Sequence, residues 1–249
     1  MIELQHIHKT FNKAKANEVK ALKDVSLTIH EKEFVVIVGS NGSGKSTLLN
    51  IIAGAEFASS GKVIINKTDA TRIAEYKRSK WIARVFQNPL SGTAPDLSII
   101  DNFRLAALRT QSKKLTIGVN DSFKKLVKEK IALLNMGLEN KIEQQMGTLS
   151  GGQRQALTLL MSVMDETKIL LLDEPTAALD PHSANIVLQT ANELIKQYQL
   201  TAILITHNLK DAHTYGNRLI QMSEGNIIKD LTTEQKSKME ITELFKWFA

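Results

Sequence analysis

Residues 34–47 read FVVIVGSNGSGKST, five apolar residues without a break, then a glycine-rich stretch closing on Lys45 and Ser46. An apolar run of strand length with no polar alternation is buried on both faces, as the strands of a parallel sheet are. From Thr47 to Ala53, Leu48, Leu49, Ile51 and Ile52 return at helical spacing, and Gly54 is a natural stop. Strand, glycine loop and helix in that order point to an α/β fold. Gly39, Gly44, Lys45 and Ser46 satisfy G-x-x-x-x-G-K-[ST]. The glycines, Gly42 included, permit a path along which the N–H groups of Ser40, Asn41, Ser43 and their neighbours turn inward, and the helix start adds its positive dipole end. Lys45 is then expected at the β- and γ-phosphates of a nucleotide, Ser46 on Mg²⁺ and Thr47 near the α-phosphate. A glycine-rich turn in an ordinary doubly wound fold has no reason to place Lys-Ser directly after the glycines. The loop does not separate kinase, GTPase, motor and transporter ATPase, which share it.

Length and composition narrow the setting. The chain has 249 residues, 43% of them hydrophobic, enough for one large α/β domain or a core with a smaller subdomain. It has no cysteine, so a disulfide framework and thiolate metal sites are excluded. The opening MIELQHIHKTF alternates and lacks the apolar segment of a secretory leader. Apolar runs such as Ile169 to Leu172 are far shorter than the roughly 20 residues that cross a bilayer, so no membrane span is expected. The formal charge of +6 and pI near 9.3 come from lysines spread along the chain. Their densest cluster, Lys113 and Lys114 followed by Lys124, Lys125, Lys128 and Lys130, reads as a solvated helix face, and no nucleic-acid partner is expected.

Short strands are predicted at Ile2–Ile7, Val25–Ile29, Phe34–Val38 and Lys62–Ile65, with a polar turn at His30–Glu33. From about Asn88 to Asp165 the pattern turns helical. There Phe123, Leu126, Val127, Ile131 and Leu134 outline one apolar face. Strands return at Ile169–Leu172 and Ala202–Thr206 around a helical stretch, Ser183–Tyr198, which is how a parallel βαβ unit reads. Arg218–Met222 and Asn226–Lys229 flank a hairpin turn at Ser223-Glu224-Gly225. The segment TEQKSKMEITELFKWFA, with Leu244, Phe245, Trp247 and Phe248, predicts one short amphipathic helix packed on the core.

ILLLDEP, residues 169–175, ends a buried strand in two carboxylates. Asp173 would orient the Mg²⁺ shell and Glu174 would polarise the water that attacks the γ-phosphate. LSGGQRQ, residues 149–155, places Ser150 before Gly151 and Gly152 at a helix start, a second arrangement suited to phosphate. With one lysine-bearing loop in the chain, the two arrangements are best used on one nucleotide by two subunits. These residues resemble the nucleotide-binding subunit of an ATP-binding-cassette (ABC) transporter, in which the LSGGQ residues of one protomer, here Ser150, Gly151, Gly152 and Gln153, close over ATP held by the other.

The resemblance covers nearly the whole chain and implies a P-loop NTPase of the ABC type. Its parts would be a RecA-like core with an antiparallel β subdomain (1–87 and 166–231), a helical subdomain (88–165) and a C-terminal helical tail (232–249). It further implies that Phe11 stacks on adenine with Val19 beside it, that Gln87 in VFQNP contacts Mg²⁺ and the attacking water, that Asp180 in TAALDP lies on a loop crossing the dimer interface and joins the nucleotide-binding residues there, and that His207 in LITHN binds the γ-phosphate. Taken singly, Phe11 reads as a core aromatic, Gln87 as a surface amide, Asp180 as a helix N-cap before Pro181 and His207 as a strand-end histidine; their joint order is what favours the family. His6, His8, His30, His182 and His213 read as structural or exposed. ATP and Mg²⁺ are the implied cofactors, and the implied partners are a second copy, a membrane permease and, through it, a substrate-binding protein. That places the chain in the cytoplasm against the inner face of the membrane. RVFQNPLSGTAPDLSIIDN, with its Gly92–Pro95 element, is similar to the ATPases of bacterial importers of amino acids, aromatic ones in particular, although Pro175 stands where many of these carry His. The ATPase of an exporter, or of a lipoprotein-release or cell-division complex, shares every catalytic motif and is the alternative.

Overall fold

The computed structural model describes residues 1–109 and 118–247. Lys113, Lys114 and Phe248 of the expectations above lie outside them. The first third of the chain forms β1 (Ile2–Phe11), β2 (Val19–Ile29), β3 (Phe34–Val38), α1 (Lys45–Ala53), β4 (Ser60–Ile65), β5 (Thr68–Asp69) and α2 (Glu75–Arg78). Next come β6 (Ile82–Val85), α3 (Ile99–Ala107), α4 (Asp121–Ala132), α5 (Gly151–Ser162), β7 (Ile169–Asp173) and α6 (Pro181–Gln197). The chain continues through β8 (Thr201–Ile205), α7 (Leu209–Thr214), β9 (Arg218–Ser223), β10 (Asn226–Leu231), α8 (Thr233–Ser237) and α9 (Ile241–Phe245). Two compact units result, residues 1–79 with 200–249, and residues 80–199.

In the first unit β3 is buried at all five positions because it pairs in parallel with β8 on one side and β9 on the other. This is the arrangement that an unbroken FVVIV run demands. β10 closes that edge antiparallel to β9 through Glu224 and Gly225, both at positive φ (44° and 81°), the geometry a two-residue hairpin requires. A separate antiparallel sheet has the order β2-β1-β4-β5. β1 and β2 run longer than their alternation predicts. Bulges with His6 at φ 50° and Asp24 at φ 59° reset the inward face, so Ile2 and Leu4 are followed by Ile7 rather than by a residue at position 6.

Arg78 is the largest fully buried side chain of this unit and lies at the C-terminal end of α1. Its guanidinium donates to the carbonyls of Ile51 (2.7 Å), Ile52 (2.8 Å), Ile73 (2.7 Å) and Ala70. A cation thus meets the last-turn carbonyls of α1, where the helix dipole favours positive charge. Burial pulls its pKa down to about 10. The tail is two helices rather than the single one expected. Thr232 caps α8 in a capping box with Gln235, Lys236 turns inward to donate to the carbonyls of Tyr215 and Gly216 (2.9 Å for the latter), and Glu240 is extended before α9 begins. Leu244 is buried, whereas Phe245 points to solvent.

In the second unit β6 and β7 pair in parallel from Ile82↔Ile169 to Val85↔Leu172. Among the described residues of 88–165 the α-helices are α3, α4 and α5, of which α4 is the one predicted around Phe123 to Leu134. Its buried residues are Val127 and Ile131; Leu126, expected on the apolar face, is exposed because Phe123, Val127 and Ile131 at four-residue steps already define the inward stripe.

Candidate functional site

The first unit builds the glycine loop at the C-terminal edge of its parallel strands. β3 ends at Val38, the chain turns at Ser40–Ser43 (Ser43 N–H to Ser40 O, 3.1 Å), and Gly44 at φ 99° caps α1 without any side-chain acceptor. The loop is seated against the rest of the unit. Gly225 N–H donates to Ser43 O (3.1 Å), and a Cβ on Gly44 would meet Ala21 O at 2.6 Å. Lys45 is buried and its ammonium donates to the carbonyls of Gly39 (2.8 Å) and Ser40 (2.9 Å), with Ser43 Oγ at 3.4 Å. Ser46 is exposed and Thr47 half-buried. The β3–β8 register pairs Ile37 with Ile205, so Gly39 and His207 each follow two residues later and leave adjacent strands at the same level. Asn208 then caps α7 through the N–H groups of Lys210 and Asp211. In the antiparallel sheet the register pairs Phe11 directly with Val19, and Lys9 Nζ lies 4.6 Å from the Phe11 ring centroid.

The second unit repeats the level arrangement with acidic and amide groups. Val85 pairs with Leu172, so Gln87 and Glu174 stand two residues beyond the last register pair. Asp173 is buried at the end of β7, and its Oδ2 accepts from Arg84 Nη2 at 2.8 Å. Glu174 is left-handed, φ 45°, an unfavourable conformation for a residue with a Cβ and one that recurs at functional sites. Ser150 is the N-cap of α5, accepting from Gln153 N–H while Gln153 Oε1 accepts from Ser150 N–H. Gly152 is needed for close packing, since a Cβ there would stand 2.5 Å from Ser183 in α6, and a Cβ on Gly151 would stand 3.2 Å from Leu179. Asp180 caps α6 through His182 and Ser183 N–H, and its hydrogen bonding with Ser183 holds its carboxyl below the usual range. LSGG and TAALDP are thereby brought together.

Several residues essential to this geometry carry no signal in a one-dimensional reading. Gln155 is buried, and its Nε2 donates to Phe86 O (2.7 Å) and Pro175 O (3.0 Å), tying the residue before Gln87 to the residue after Glu174. Arg154 donates to the carbonyls of Met146, Gly147 and Leu149 and so fixes the approach to Ser150. Asn102 holds the Gly92–Pro95 element to α3 by exchanging hydrogen bonds with the Ala94 backbone, 2.8 and 3.0 Å. A cavity of about 370 Å³ opens there, walled by Arg84, Gly92, Thr93, Asn102, Arg109 and Ser162. Of the remaining histidines, His213 Nε2 lies 2.9 Å from Met239 O and His6 pairs with Asp24 at the surface.

A family model described as ABC transporter matches residues 22–177. The chain belongs to the ABC transporter family. It is an ABC transporter ATPase with the P-loop fold of those cassettes. A tyrosine transport ATP-binding protein of Clostridioides difficile is 36% identical over 255 residues, covering 100% of this chain and 98% of that protein. The phosphonates import ATP-binding protein PhnC of Lactococcus lactis is 30% identical over 250 residues, 99% of both. Among solved structures, the dimeric post-hydrolysis state of the cassette MJ0796 bound to ADP and Pi superposes with a TM-score of 0.80 at 28% identity, over 94% of this chain and 99% of that one. The ADP conformation of the cassette MJ1267 gives 0.78 at 25% identity, over 99% and 98%. Among the described residues no helix of this ABC ATPase is long and apolar enough to cross a membrane.

Proposed function

We propose that this ATPase works as a homodimer, closing over two Mg-ATP and reopening after hydrolysis, to drive import of an amino acid, aromatic in character, into a bacterial cell. The observation that supports the catalytic half is the level register at the strand ends within each unit: Gly39 with His207 in the first, and Gln87 with Glu174 in the second. The transport half rests on the full-length similarity to a tyrosine transport ATPase. In this reading Phe11 and Val19 receive the adenine, residues 39–47 hold the phosphates, and His207 donates to the γ-phosphate. Glu174 polarises the attacking water. Ser150, Gly151, Gly152 and Gln153 complete the nucleotide site of the partner, with Asp180 on the loop that crosses to it.

Ser46, Gln87 and Asp173 would hold Mg²⁺. They offer a hydroxyl, an amide oxygen and a carboxylate, hard donors that suit this ion. Among the described residues no group of three His, Cys, Asp or Glu gathers into a metal site. When bound, Mg²⁺ neutralises charge on the β- and γ-oxygens. Residues 88–165 form the helical subdomain that grips the permease, the substrate-binding protein delivers cargo to that permease, and the ATPase sits on the cytoplasmic face of the membrane.

The test is Glu174→Gln in the full chain. Turnover is expected to fall by about 10²-fold or more while ATP binding persists and an ATP-dependent dimer accumulates, seen by light scattering after size exclusion. Hydrolysis at the parental rate would remove Glu174 from the role of base, and ATP-bound monomers alone would remove the shared site. Co-purification with a permease, and loss of labelled aromatic amino-acid uptake in cells carrying the variant, test the transport half.

A further inference from the structure

Arg84 stands next to the last residue of β6 and belongs to none of the groups assigned above. Its side chain crosses to the neighbouring strand, where Nη2 donates to Asp173 Oδ2 at 2.8 Å, both side chains being only 12% exposed. The guanidinium carbon lies 4.7 Å from the centroid of the ring of Phe86, the residue that follows β6. A purely structural tie between β6 and β7 is superfluous, because the backbones already pair from Ile82↔Ile169 to Val85↔Leu172. What the pair adds is orientation. A charged hydrogen bond to Oδ2 restricts the rotation of the Asp173 carboxylate, and with it the direction in which it addresses a ligand.

We propose that Arg84 is a positioning residue for Asp173, setting the geometry with which that carboxylate meets the Mg²⁺ shell. The proposal rests on the assignment of Asp173 to Mg²⁺ made above. A cation beside a metal ligand opposes the ion's charge, so its contribution here is directional, and residues that orient a ligand in this way typically change metal affinity about 10- to 100-fold when removed. Were Arg84 instead a competitor for Asp173, its removal would make Mg²⁺ bind more tightly, so the two roles have opposite signs.

The experiment titrates binding of a fluorescent ATP analogue to the full chain, first in EDTA and then across a Mg²⁺ series, for Arg84→Met, Arg84→Gln, Arg84→Lys and Asp173→Asn. Arg84→Met and Arg84→Gln are expected to bind the analogue in EDTA as the parent does and to need about 10-fold more Mg²⁺ for the half-maximal response. Arg84→Lys, which keeps a charged donor but loses the planar group over Phe86, should fall between the parent and the Met variant. If the Met variant does not fold, the Gln variant carries the test alone. A parental or lower Mg²⁺ requirement in these variants overturns the proposal. If Asp173→Asn also leaves the Mg²⁺ requirement unchanged, it is the assignment of Asp173 that fails; if Asp173→Asn shifts it and the Arg84 variants do not, only the role of Arg84 fails.

Discussion

Replacing Arg78 by Met tests how the helix that carries Lys45 is anchored at its other end. Of the four carbonyls that Arg78 engages, Ile51 O also accepts from Gly54 N–H and Ala70 O also accepts from Ile73 N–H. Ile52 O and Ile73 O are the two that lose their donor. An unsatisfied buried carbonyl costs about 1–3 kcal/mol, so the buried Ile52 O and the half-buried Ile73 O together cost at most about 2–6, against which the methionine recovers part through apolar burial and through relief of the guanidinium's desolvation. A net loss of about 3 kcal/mol is expected, equivalent to a fall in Tm of about 6–12 °C for a chain of this size. Thermal denaturation followed by circular dichroism measures it. Arg78→Lys should recover less than half, because one ammonium cannot span carbonyls that the planar fork reaches in several directions. A Met variant melting within about 2 °C of the parent would show that these carbonyls do not depend on Arg78, and the anchoring argument would fall.

Gln155→Leu removes the amide that joins Phe86 O to Pro175 O, and it should lower kcat while leaving ATP affinity near parental; an unchanged kcat would mean that the flanks of Gln87 and Glu174 hold their places without it. Burial lowers Lys236 from 10.5 to about 8, so between those values the unfolded chain retains a proton that the folded chain has released, and this group makes stability rise with pH across that window and add no slope below it. The Tm of the parent relative to Lys236→Met should therefore climb between about pH 8 and 10, and a flat difference would refute the assignment.

Much of this could be read from local pattern. The unbroken FVVIV run specified a strand flanked on both sides, and Gly54 and Ser223-Glu224-Gly225 ended their elements where backbone chirality requires it. Ser150 and Asp180 stand at helix starts because their side chains satisfy N–H groups that the helix leaves open. The pattern failed where one element's geometry depends on another. The bulges at His6 and Asp24 break an alternation that looks regular for only a few residues, and the tail divides because Lys236 finds carbonyls about twenty positions earlier in the chain. Arg78, Arg84, Arg154 and Gln155 look like surface residues in sequence, yet each is fixed by acceptors whose positions only folding supplies; for Arg84 the acceptor is 89 residues away.

Ser150 and Asp180 were both assigned to the nucleotide, and their hydrogen-bonding capacity separates them. As an N-cap, Ser150 Oγ accepts from Gln153 N–H, but a hydroxyl also has a proton to give, so the cap orients Ser150 without preventing donation to a phosphate oxygen of the partner's ATP. Asp180 accepts from His182 and Ser183 N–H, and its lowered pKa keeps it an acceptor only; it has nothing to donate to a phosphate. Its contribution is then to hold the 176–180 turn against α6, which an asparagine oxygen can do as well. Asp180→Asn should leave ATP affinity and turnover near parental, whereas Ser150→Ala should cost about 1 kcal/mol of stability through the cap and a larger factor in turnover through the lost donor. Equal losses of turnover in the two variants would return Asp180 to direct contact with the nucleotide and refute the division drawn from donor count.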